Sequence, residues 1–272
     1  MTAINTNPGA LAARNAALKA TRKMENAMER LSSGNRINSA ADDAAGLAVA
    51  TKMHSQLGGI NMAIRNNQDG VGLIQTAEAG MQEIRNMLLR IRELAVQMAN
   101  GIYSTGDRTN ADLEVSALLS QIELIADNTR FNGVTLLSSS ASKNIQAGPT
   151  TAEKIGIKIS AVTTSGLLVA DADVAVSSVA KSISAMYRMD RALSAIGKRL
   201  AGLGSLQNRM TFSINNLSKA SVTTEQAVGR IMDADFALET SNLSKTQILN
   251  QAATAMLAQA NQSKQSILAL LQ

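Results

Sequence analysis

The side chains that could do chemistry are few and scattered in this sequence. The chain has one histidine, His54, and no cysteine, which excludes disulfides, thiolate metal sites and a cysteine nucleophile. Two carboxylate pairs, Asp42–Asp43 and Asp233/Asp235, have the residue type that acid–base catalysis uses. Asp42–Asp43 follow Ser39, however, and this pattern favours the N-terminus of a helix, where carboxylates meet the positive end of the helix dipole.

No larger catalytic motif accompanies these residues. The sequence lacks a phosphate-binding loop, a dinucleotide-binding glycine pattern and a nucleophile elbow. A single histidine with no carboxylate cluster beside it favours a structural or surface position over metal ligation. We therefore predict no catalytic residue, no cofactor and no metal site, and the sequence indicates a protein that is not an enzyme.

Composition favours long helices over a globular core. Apolar residues make up 45% of the 272, yet there is no Trp and there are only two Tyr and three Phe against thirteen Met. Leu, Met and Ala are good helix formers, and only two prolines interrupt the chain. The basic residues behind the net charge of +5 are dispersed, which does not predict nucleic-acid binding.

Targeting signals are also lacking from the sequence. No apolar run approaches the roughly 18 residues of a membrane span, so no membrane insertion is predicted. The first twenty residues lack the apolar segment of a cleaved secretory signal. We expect conventional secretion to be excluded, while other export routes stay open.

Heptad spacing is the strongest signal for the elements that must position these residues. Three seams alternate steps of three and four residues, the pattern of a coiled coil. The first seam comprises Ile74, Ala77, Met81, Ile84, Leu88, Ile91, Ala95 and Met98. The second comprises Val115, Leu118, Ile122 and Ile125, in a helix predicted to begin near Thr109 or Asn110. The third runs from Leu193 to Ile231 through a polar middle.

Both ends of the chain are predicted to be amphipathic helices. The N-terminal helix begins near Pro8, a favourable residue for a helix start, and the C-terminal helix occupies about the last 25 residues. Neither has a sequence neighbour against which to bury its apolar stripe. We therefore expect the two to pair antiparallel with each other and with copies in other molecules.

Residues 131–175, in the middle of the chain, lack the helical pattern of the segments before and after them. Gly and Pro punctuate residues 131–175, and the segments GVTLL, KNIQAG and KIGIKIS are predicted to be short strands. The Ser/Thr-rich loops at 138–140, 150–151 and 163–165 are expected to face outward. The predicted fold class is mainly α, with long antiparallel coiled-coil helices forming a rod and a small β-hairpin region in the middle.

Eight longer strings occur in fixed order along the chain. They are INTNPGALAARNA, RLSSGNRINSAADDAAGLAVATKM, RNNQDGVGLIQTAEAGM, RIRELAVQMANG, TRFNGVTLL, LGSLQNRM, IMDADFALETSNLSK and QILNQAATAMLAQANQSKQSILALLQ. Together they resemble the bacterial flagellins, the subunits of the flagellar filament. The resemblance covers roughly residues 4–137 and 180–272, and its many co-ordered motifs make it specific.

The resemblance implies a division of the chain into layers. Residues 1–38 with 236–272 would form a terminal-helix coiled-coil domain, the inner tube of a filament. Residues 39–130 with 176–235 would form a helical rod domain, and 131–175 its β-hairpin and loops, with no large outer domain. The implied function is a structural subunit that self-assembles into the helical filament for swimming motility and folds its terminal helices on assembly.

The polymerisation interface is expected on the terminal helices. The residues concerned keep the apolar rhythm of each helix. They are Ala10, Ala13, Ala17, Met24, Met28, Leu31, Met256, Leu257, Ala260, Ile267, Leu268 and Leu271.

Partners and location follow from the resemblance alone. The implied partners are other copies of the chain, the flagellar export apparatus and its chaperone, and the filament cap and hook-junction proteins. The implied location is the extracellular flagellar filament, reached without a cleaved signal peptide. Recognition by the innate Toll-like receptor 5 is implied at Arg90, Leu94 and Glu114. Leu89 departs from the glutamine of the best-recognised members, which puts that recognition in doubt.

Two alternatives remain open at this point. A hook–filament junction protein has the same architecture, although the terminal string SILALLQ favours a flagellin. The sequence pI of about 9.6 leaves room for an added role as an adhesin for anionic polysaccharide.

Overall fold

The computed structural model describes residues 6–170 and 174–269, with side chains up to residue 263. Within these residues the chain forms five helices and four short strands. Their order is α1 (Pro8–Ser33), α2 (Ala44–Met98), α3 (Thr105–Asn128), β1 (Arg130–Phe131), β2 (Val134–Thr135), β3 (Ala141–Gln146), β4 (Lys154–Ile159), α4 (Val179–Met232) and α5 (Phe236–Ala269). The predicted class, mainly helical with a small hairpin region, is confirmed.

Side-chain caps set where the N-terminal helices begin and end. Asn7 accepts a hydrogen bond from the backbone N–H of Ala10 (3.1 Å), and Pro8 follows at the first helical position. Gly34 ends α1 in the left-handed conformation, with φ of 73°. Asp43 accepts from the N–H of Gly46 (2.8 Å) immediately before α2. This bond confirms the helix-start interpretation of that aspartate.

Helix α3 begins four residues earlier than the apolar spacing predicts. Ser104 accepts from the N–H of Asp107 (3.2 Å), and the Asp107 carboxylate accepts from the N–H of Ser104 (3.0 Å). This reciprocal capping box satisfies two N–H groups that a helix otherwise leaves unpaired. The cap, rather than the first seam residue, therefore determines where α3 starts.

The chain divides into two compact units. The terminal unit comprises Met1–Leu57 with Val222–Gln272, and the central unit comprises Gly58–Ser221. The boundaries fall inside α2 and α4, not in loops.

Two antiparallel helix pairs, α2 with α4 and α2 with α3, organise the central unit. Arg92 of α2 contacts Asp190 of α4 (2.7 Å), and Ser221 at the other end of this stretch donates to Asn61 (3.2 Å). The two contacts run in opposite directions along the helices, so α4 is antiparallel to α2. Helix α3 also runs back along α2, because the short connection at 99–104 reverses the chain.

The first seam is the centre of the core. Its eight predicted positions on α2 are all at most 3% exposed, which confirms the heptad assignment. They pack with α3, with α4 and with apolar residues of the middle segment such as Leu136, Ile157 and Val169. Asn67, two turns before the first seam residue Ile74, is also fully buried and donates to the carbonyls of Ala63 (2.8 Å) and Ala147 (3.2 Å).

The middle segment forms two antiparallel hairpins. Asn132 and Gly133 have positive φ (48° and 79°) and connect β1 to β2, as a two-residue type I′ turn requires. Strands β3 and β4 pair from Ala141↔Ile159 to Gln146↔Lys154. In β4 the isoleucines at 155, 157 and 159 alternate inward, so the predicted alternation is confirmed. No helix in the described part of the chain is long and apolar enough to cross a membrane.

Candidate interaction surfaces

The histidine and aspartates that could do chemistry form no catalytic arrangement in the described residues. His54 lies exposed on α2. Asp235 accepts from the N–H groups of Ala237 (2.9 Å) and Leu238 (3.2 Å) and so caps α5. In the described part of the chain no three His, Asp or Glu residues lie close enough to hold a metal ion.

The two terminal helices pair antiparallel, as the sequence predicts. Asn7, at the start of α1, donates to the carbonyl of Ala260 (3.0 Å), and Asn250 donates to the hydroxyl of Thr21 (2.8 Å). Arg30, near the end of α1, contacts Glu239 near the start of α5 (3.0 Å). Three polar contacts therefore fix the register of one helix against the other.

The seam between α1 and α5 is built from small side chains. The buried apolar residues there are Ala20, Ala27 and Ala253. Among the predicted interface residues, Ala10, Ala13, Ala17, Met24, Leu31, Leu257 and Ala260 are half-buried, whereas Met28 and Met256 are exposed. Ile267 and Leu268 fall where α5 is described without its side chains, and Leu271 lies outside the described residues.

Most large apolar side chains of this helix pair point away from its seam. Eight of them are between 48% and 65% exposed: Leu11, Leu18, Met28, Phe236, Leu238, Ile248, Leu249 and Met256. A two-helix pair cannot bury a wide apolar face on both helices, so the alanine seam leaves the rest in water. The arrangement resembles one layer of a larger assembly more than a finished fold.

A polar junction closes the end of the helix pair. Glu239 is only 7% exposed, and its carboxylate accepts from Arg30 (3.0 Å) and from the side chain of Asn242 (3.3 Å). Asp42 lies 3.9 Å from the same guanidinium. Hydrogen bonds from the backbone and hydroxyl of Ser39 hold the pKa of Asp42 below its ordinary value.

The backbone of the same junction is also paired. The segment after α1 pairs with the segment before α5, from the N–H of Arg36 to the carbonyl of Met232 (2.6 Å) and from Ala234 back to Gly34 (2.9 Å). The Arg30–Glu239 ion pair therefore joins α1 to α5, and the short backbone bridge joins the turn after α1 to the turn before α5.

A second charged surface lies where α2 meets α3. Arg90 donates to Glu114 (2.9 Å), and both side chains are about half exposed. The hydrogen bond with Glu114 raises the pKa of Arg90. Leu94 is only 3% exposed and belongs to the core. The structure therefore brings Arg90 and Glu114 together on the surface and places Leu94 beneath it.

The heptad pattern did not predict the buried polar anchor Arg108. Arg108 of α3 is 6% exposed and donates to the carbonyls of Met98, Asn100 (2.9 Å) and Tyr103 (3.2 Å). Its guanidinium thereby caps the C-terminal end of α2. The sequence signal for this capping role is weak. It consists of a basic residue one turn after the N-cap Ser104, close to the short connection between α2 and α3.

The loop at 163–165 differs from its prediction. Thr163 is buried, and Thr164 donates through its N–H (3.0 Å) and hydroxyl (2.9 Å) to Glu123 of α3. The expected outward orientation is therefore wrong for Thr163, because the loop is anchored on the helix. The residues at 150–151 do face solvent.

These features define a class of protein before any comparison. Within the described residues the polar groups serve as caps and anchors, and the terminal helices present large apolar faces to solvent. The class is a helical structural protein that associates with further helices.

Comparison with known families identifies the family. Residues 4–142 match the bacterial flagellin N-terminal helical region, and residues 186–271 match the bacterial flagellin C-terminal helical region. The chain belongs to the bacterial flagellin family.

Individual relatives agree with this assignment. The chain is 42% identical to a flagellin of Halalkalibacterium halodurans over 248 residues, which is 91% of each protein. It is 40% identical to the flagellar filament 33 kDa core protein of Treponema phagedenis, over 98% of this chain and 99% of that protein. The crystal structure of Bacillus cereus flagellin is similar with a TM-score of 0.50 at 31% identity, over 56% of this chain and 88% of that one.

Proposed function

We propose that this chain is a structural subunit of the bacterial flagellar filament and that α1 and α5 complete their packing only against other copies. The flagellin family is a family of structural proteins, and relatives of nearly the same length are named as flagellin and as filament core protein. The observation that carries the proposal is the alanine seam between α1 and α5, with eight large apolar side chains of the two helices turned outward.

The energetics favour association through these side chains. Fully burying a Leu, Ile or Met side chain contributes about 1.5–3 kcal/mol. Each of the eight is about half exposed, so burying the exposed half would contribute about 1 kcal/mol per side chain. The gross gain of roughly 8 kcal/mol per subunit is comparable with the entropy lost on association. Contacts with more than one neighbour are therefore needed for a stable polymer.

The faces on the two helices differ from each other, which determines the kind of assembly. Contacts between unlike faces are heterologous, and a heterologous contact that does not close into a ring generates an open helical polymer. We assign the polymerisation interface to the predicted residues of α1 and α5, including Met28 and Met256, which are exposed in the isolated subunit.

The same proposal assigns the layers of the chain. Residues 1–38 with 236–272 form the inner coiled-coil layer, residues 39–130 with 176–235 the surrounding helical layer, and 131–175 its hairpins and loops. The subunit reaches the extracellular filament through the flagellar export apparatus with its chaperone, and it meets the cap and hook-junction proteins there. The absence of cysteine from the sequence supports passage without disulfide formation.

Innate recognition through Toll-like receptor 5 is a further part of the proposal. The Arg90–Glu114 pair offers an accessible charged surface, and Leu94 supports it from below. Receptor-bearing reporter cells should respond to the monomer and respond less to Arg90→Ala and Glu114→Ala. The exposed Arg85→Ala on the same helix is the matched control. An equal response to all four proteins would remove this part of the proposal.

Deletion of residues 263–272 tests the central claim. Purified chain added to sheared filament seeds should elongate them, as followed by electron microscopy, and the shortened chain should not. Circular dichroism of the monomer is the control that α2, α3 and α4 stay folded in the shortened chain. Normal filaments from the shortened chain would refute the role of the terminal helices. If the unmodified chain adds only a short collar to the seeds and then stops, the chain is the hook–filament junction protein instead.

A further inference from the structure

Two Asn–Gly pairs occur in the sequence, and the structure places them in different backbone settings. An asparagine loses its side-chain amide most readily before glycine, because no Cβ hinders the backbone nitrogen that attacks it. Asn132–Gly133 is the turn between β1 and β2, where both residues have positive φ and paired strands lie on each side. Asn100–Gly101 lies in the connection 99–104 between α2 and α3, and both residues are exposed.

Neither space nor backbone conformation requires glycine at position 101 among the residues that the structure describes. A Cβ placed on Gly101 would meet no atom within 4 Å, and its φ lies outside the positive range that favours glycine. Gly133 differs, because its φ of 79° is strained for any residue with a side chain. Conformation therefore explains the glycine at 133 and leaves the one at 101 unexplained.

The side chain of Asn100 is held beside the glycine nitrogen. Its Oδ1 accepts a hydrogen bond from the N–H of Ile102, at 3.3 Å, which is the pattern of an Asx-turn. The ring of atoms that this bond closes includes the Gly101 nitrogen, so Cγ of Asn100 and that nitrogen lie across the ring from each other. The same N–H donor stabilises the negative charge that an attack on Cγ places on Oδ1.

The backbone carbonyl of Asn100 has a charged and buried donor. Arg108 is 6% exposed, and its Nη2 donates to this carbonyl oxygen at 2.9 Å. The other described acceptors of the guanidinium are the carbonyls of Met98 and Tyr103, so within the described chain the cation bonds to neutral groups. A guanidinium binds a carboxylate more strongly than a neutral carbonyl. A reaction that converts the Asn100 carbonyl into a carboxylate would therefore give Arg108 a counter-ion.

We propose that Asn100–Gly101 is an intramolecular modification site, where Asn100 becomes an isoaspartyl residue whose carboxylate pairs with Arg108. In the first step the Gly101 nitrogen gives its proton to water and bonds to Cγ of Asn100. The Cγ–Nδ2 bond then breaks, and the leaving amide takes up a proton and departs as ammonia. The product is a five-membered cyclic imide with two carbonyl groups, and no oxidant or cofactor is consumed.

Arg108 sets the direction in which the imide opens. Water that adds to Cγ restores the original backbone and leaves an aspartyl side chain. Water that adds to the α-carbonyl carbon breaks its bond to the Gly101 nitrogen, so the backbone then runs through Cγ and the former carbonyl becomes a carboxylate. The hydrogen bond from Arg108 polarises only the α-carbonyl, which favours the second route. Either route exchanges an amide for a carboxylate, so an aged chain carries one more negative charge than a new one.

Timed incubation of the folded chain tests the site, with Asn132–Gly133 as the internal reference. Trypsin releases the two pairs in separate peptides, 93–108 and 131–143, and mass spectrometry follows the conversion of each. Asn100 should convert at least about tenfold faster than Asn132, equivalent to about 1.4 kcal/mol in the barrier. In denaturant the two rates should become similar, because only the fold distinguishes the pairs. Equal rates in the folded chain would refute the proposal.

Gly101→Ala hinders the attacking nitrogen while it keeps the fold. The added Cβ has open space, so the chain should stay as stable as before or become slightly more stable. Conversion of Asn100 should slow by about tenfold. The matched control is Gly58→Ala on α2, where a Cβ also meets no atom within 4 Å and the conversion rate should not change. A Gly101→Ala chain that converts as fast as the unmodified one would contradict attack by this nitrogen.

The isoaspartyl share at position 100 tests the role of Arg108. An isoaspartyl-specific methyltransferase with its methyl donor, applied to the digested peptides, labels the new carboxylate and no ordinary aspartate. The ratio of isoaspartyl to aspartyl product should be about fivefold higher in the folded chain than in the free peptide 93–108, the effect of one hydrogen bond. A ratio equal to that of the free peptide would refute the pairing with Arg108.

Two variants separate the guanidinium from the fold. Arg108→Lys keeps the charge without the planar fork and should lower the isoaspartyl ratio, while Arg108→Met should abolish its excess over the free peptide. Circular dichroism verifies that each variant stays folded during the incubation. An unchanged ratio in both folded variants would overturn the directing role of Arg108. All of these measurements use the monomer, so the inference and the proposed filament function stand or fall separately.

Discussion

Arg108 offers the sharpest test of how the central unit is held together. Its buried guanidinium donates to three carbonyls at and beyond the C-terminal end of α2. Arg108→Met keeps most of the side-chain volume and its aliphatic packing while removing every hydrogen bond. The expected effect is therefore a loss of capping, with little change in the apolar core.

The magnitude follows from the exposure of the three acceptors. The Met98 carbonyl belongs to a buried residue, and leaving it unsatisfied costs about 1–3 kcal/mol. Asn100 is exposed and Tyr103 is half-buried. Water can therefore replace much of what their carbonyls lose, at about 0.5 kcal/mol each. The total is about 3 kcal/mol. For a unit of this size, about 2–4 °C per kcal/mol predicts a Tm lower by about 6–12 °C.

Thermal unfolding of the monomer, followed by circular dichroism at neutral pH, measures this shift. The matched control is Arg85→Met, because Arg85 is exposed on α2 and its replacement should stay within about 0.5 kcal/mol. Arg108→Lys should recover only part of the loss, since an ammonium group lacks the fork that reaches several carbonyls. Equal Tm values for Arg108→Met and Arg85→Met would refute the capping argument.

Two further outcomes test other polar anchors. Hydrogen bonds from Ser104 hold the pKa of Asp107 below its ordinary value of 3.8, so Asp107 stabilises the fold above that pH and the contribution is lost as pH falls. Asp107→Asn should therefore lower Tm at pH 7, and the difference in Tm should shrink as pH falls below 3.8; a difference independent of pH would contradict this. Arg30→Met leaves Glu239 buried without its cation and should cost about 2 kcal/mol, between exposed and fully buried pairs. Hydrogen exchange of the α1 and α5 amides in the filament would measure that loss of stability. The double variant Arg30→Met/Glu239→Gln should recover part of the stability that Arg30→Met loses. If the two single effects simply add in the double variant, the residues are not coupled.

Heptad spacing predicted which segments form helices, although it did not predict every helix boundary. The positions of the first seam, the antiparallel pairing of the terminal helices and the alternation in β4 were all readable, because each depends on periodicity or on a few adjacent residues. The start of α3 was missed by four residues, since its capping box lies outside the apolar pattern. Thr163 was misplaced because its burial depends on an anchor 40 residues earlier in the chain, Glu123 with its hydrogen bonds to Thr164.

The heptad pattern did not predict how wide the buried face of α2 is. An a/d seam describes a helix that packs on one partner, but α2 packs against both α3 and α4 and buries a broader stripe. Leu73 and Leu94 are therefore buried beside the seam residues Ile74 and Ala95. For this reason Leu94 belongs to the core, whereas Arg90 and Glu114 reach the surface together.

The sequence by itself determined where the helices of this flagellin lie, which residues line their seams and that its ends pair with each other. Those features follow from the spacing of apolar residues and from the eight sequence strings that occur in the order found in flagellins. Only the tertiary structure decided that Ala20, Ala27 and Ala253 are the buried apolar residues of the α1–α5 seam while Leu11, Ile248 and Met256 face outward. It also decided that Arg108 is buried. Such outcomes depend on which neighbour occupies each side of a helix, and the period of a single helix does not contain that information.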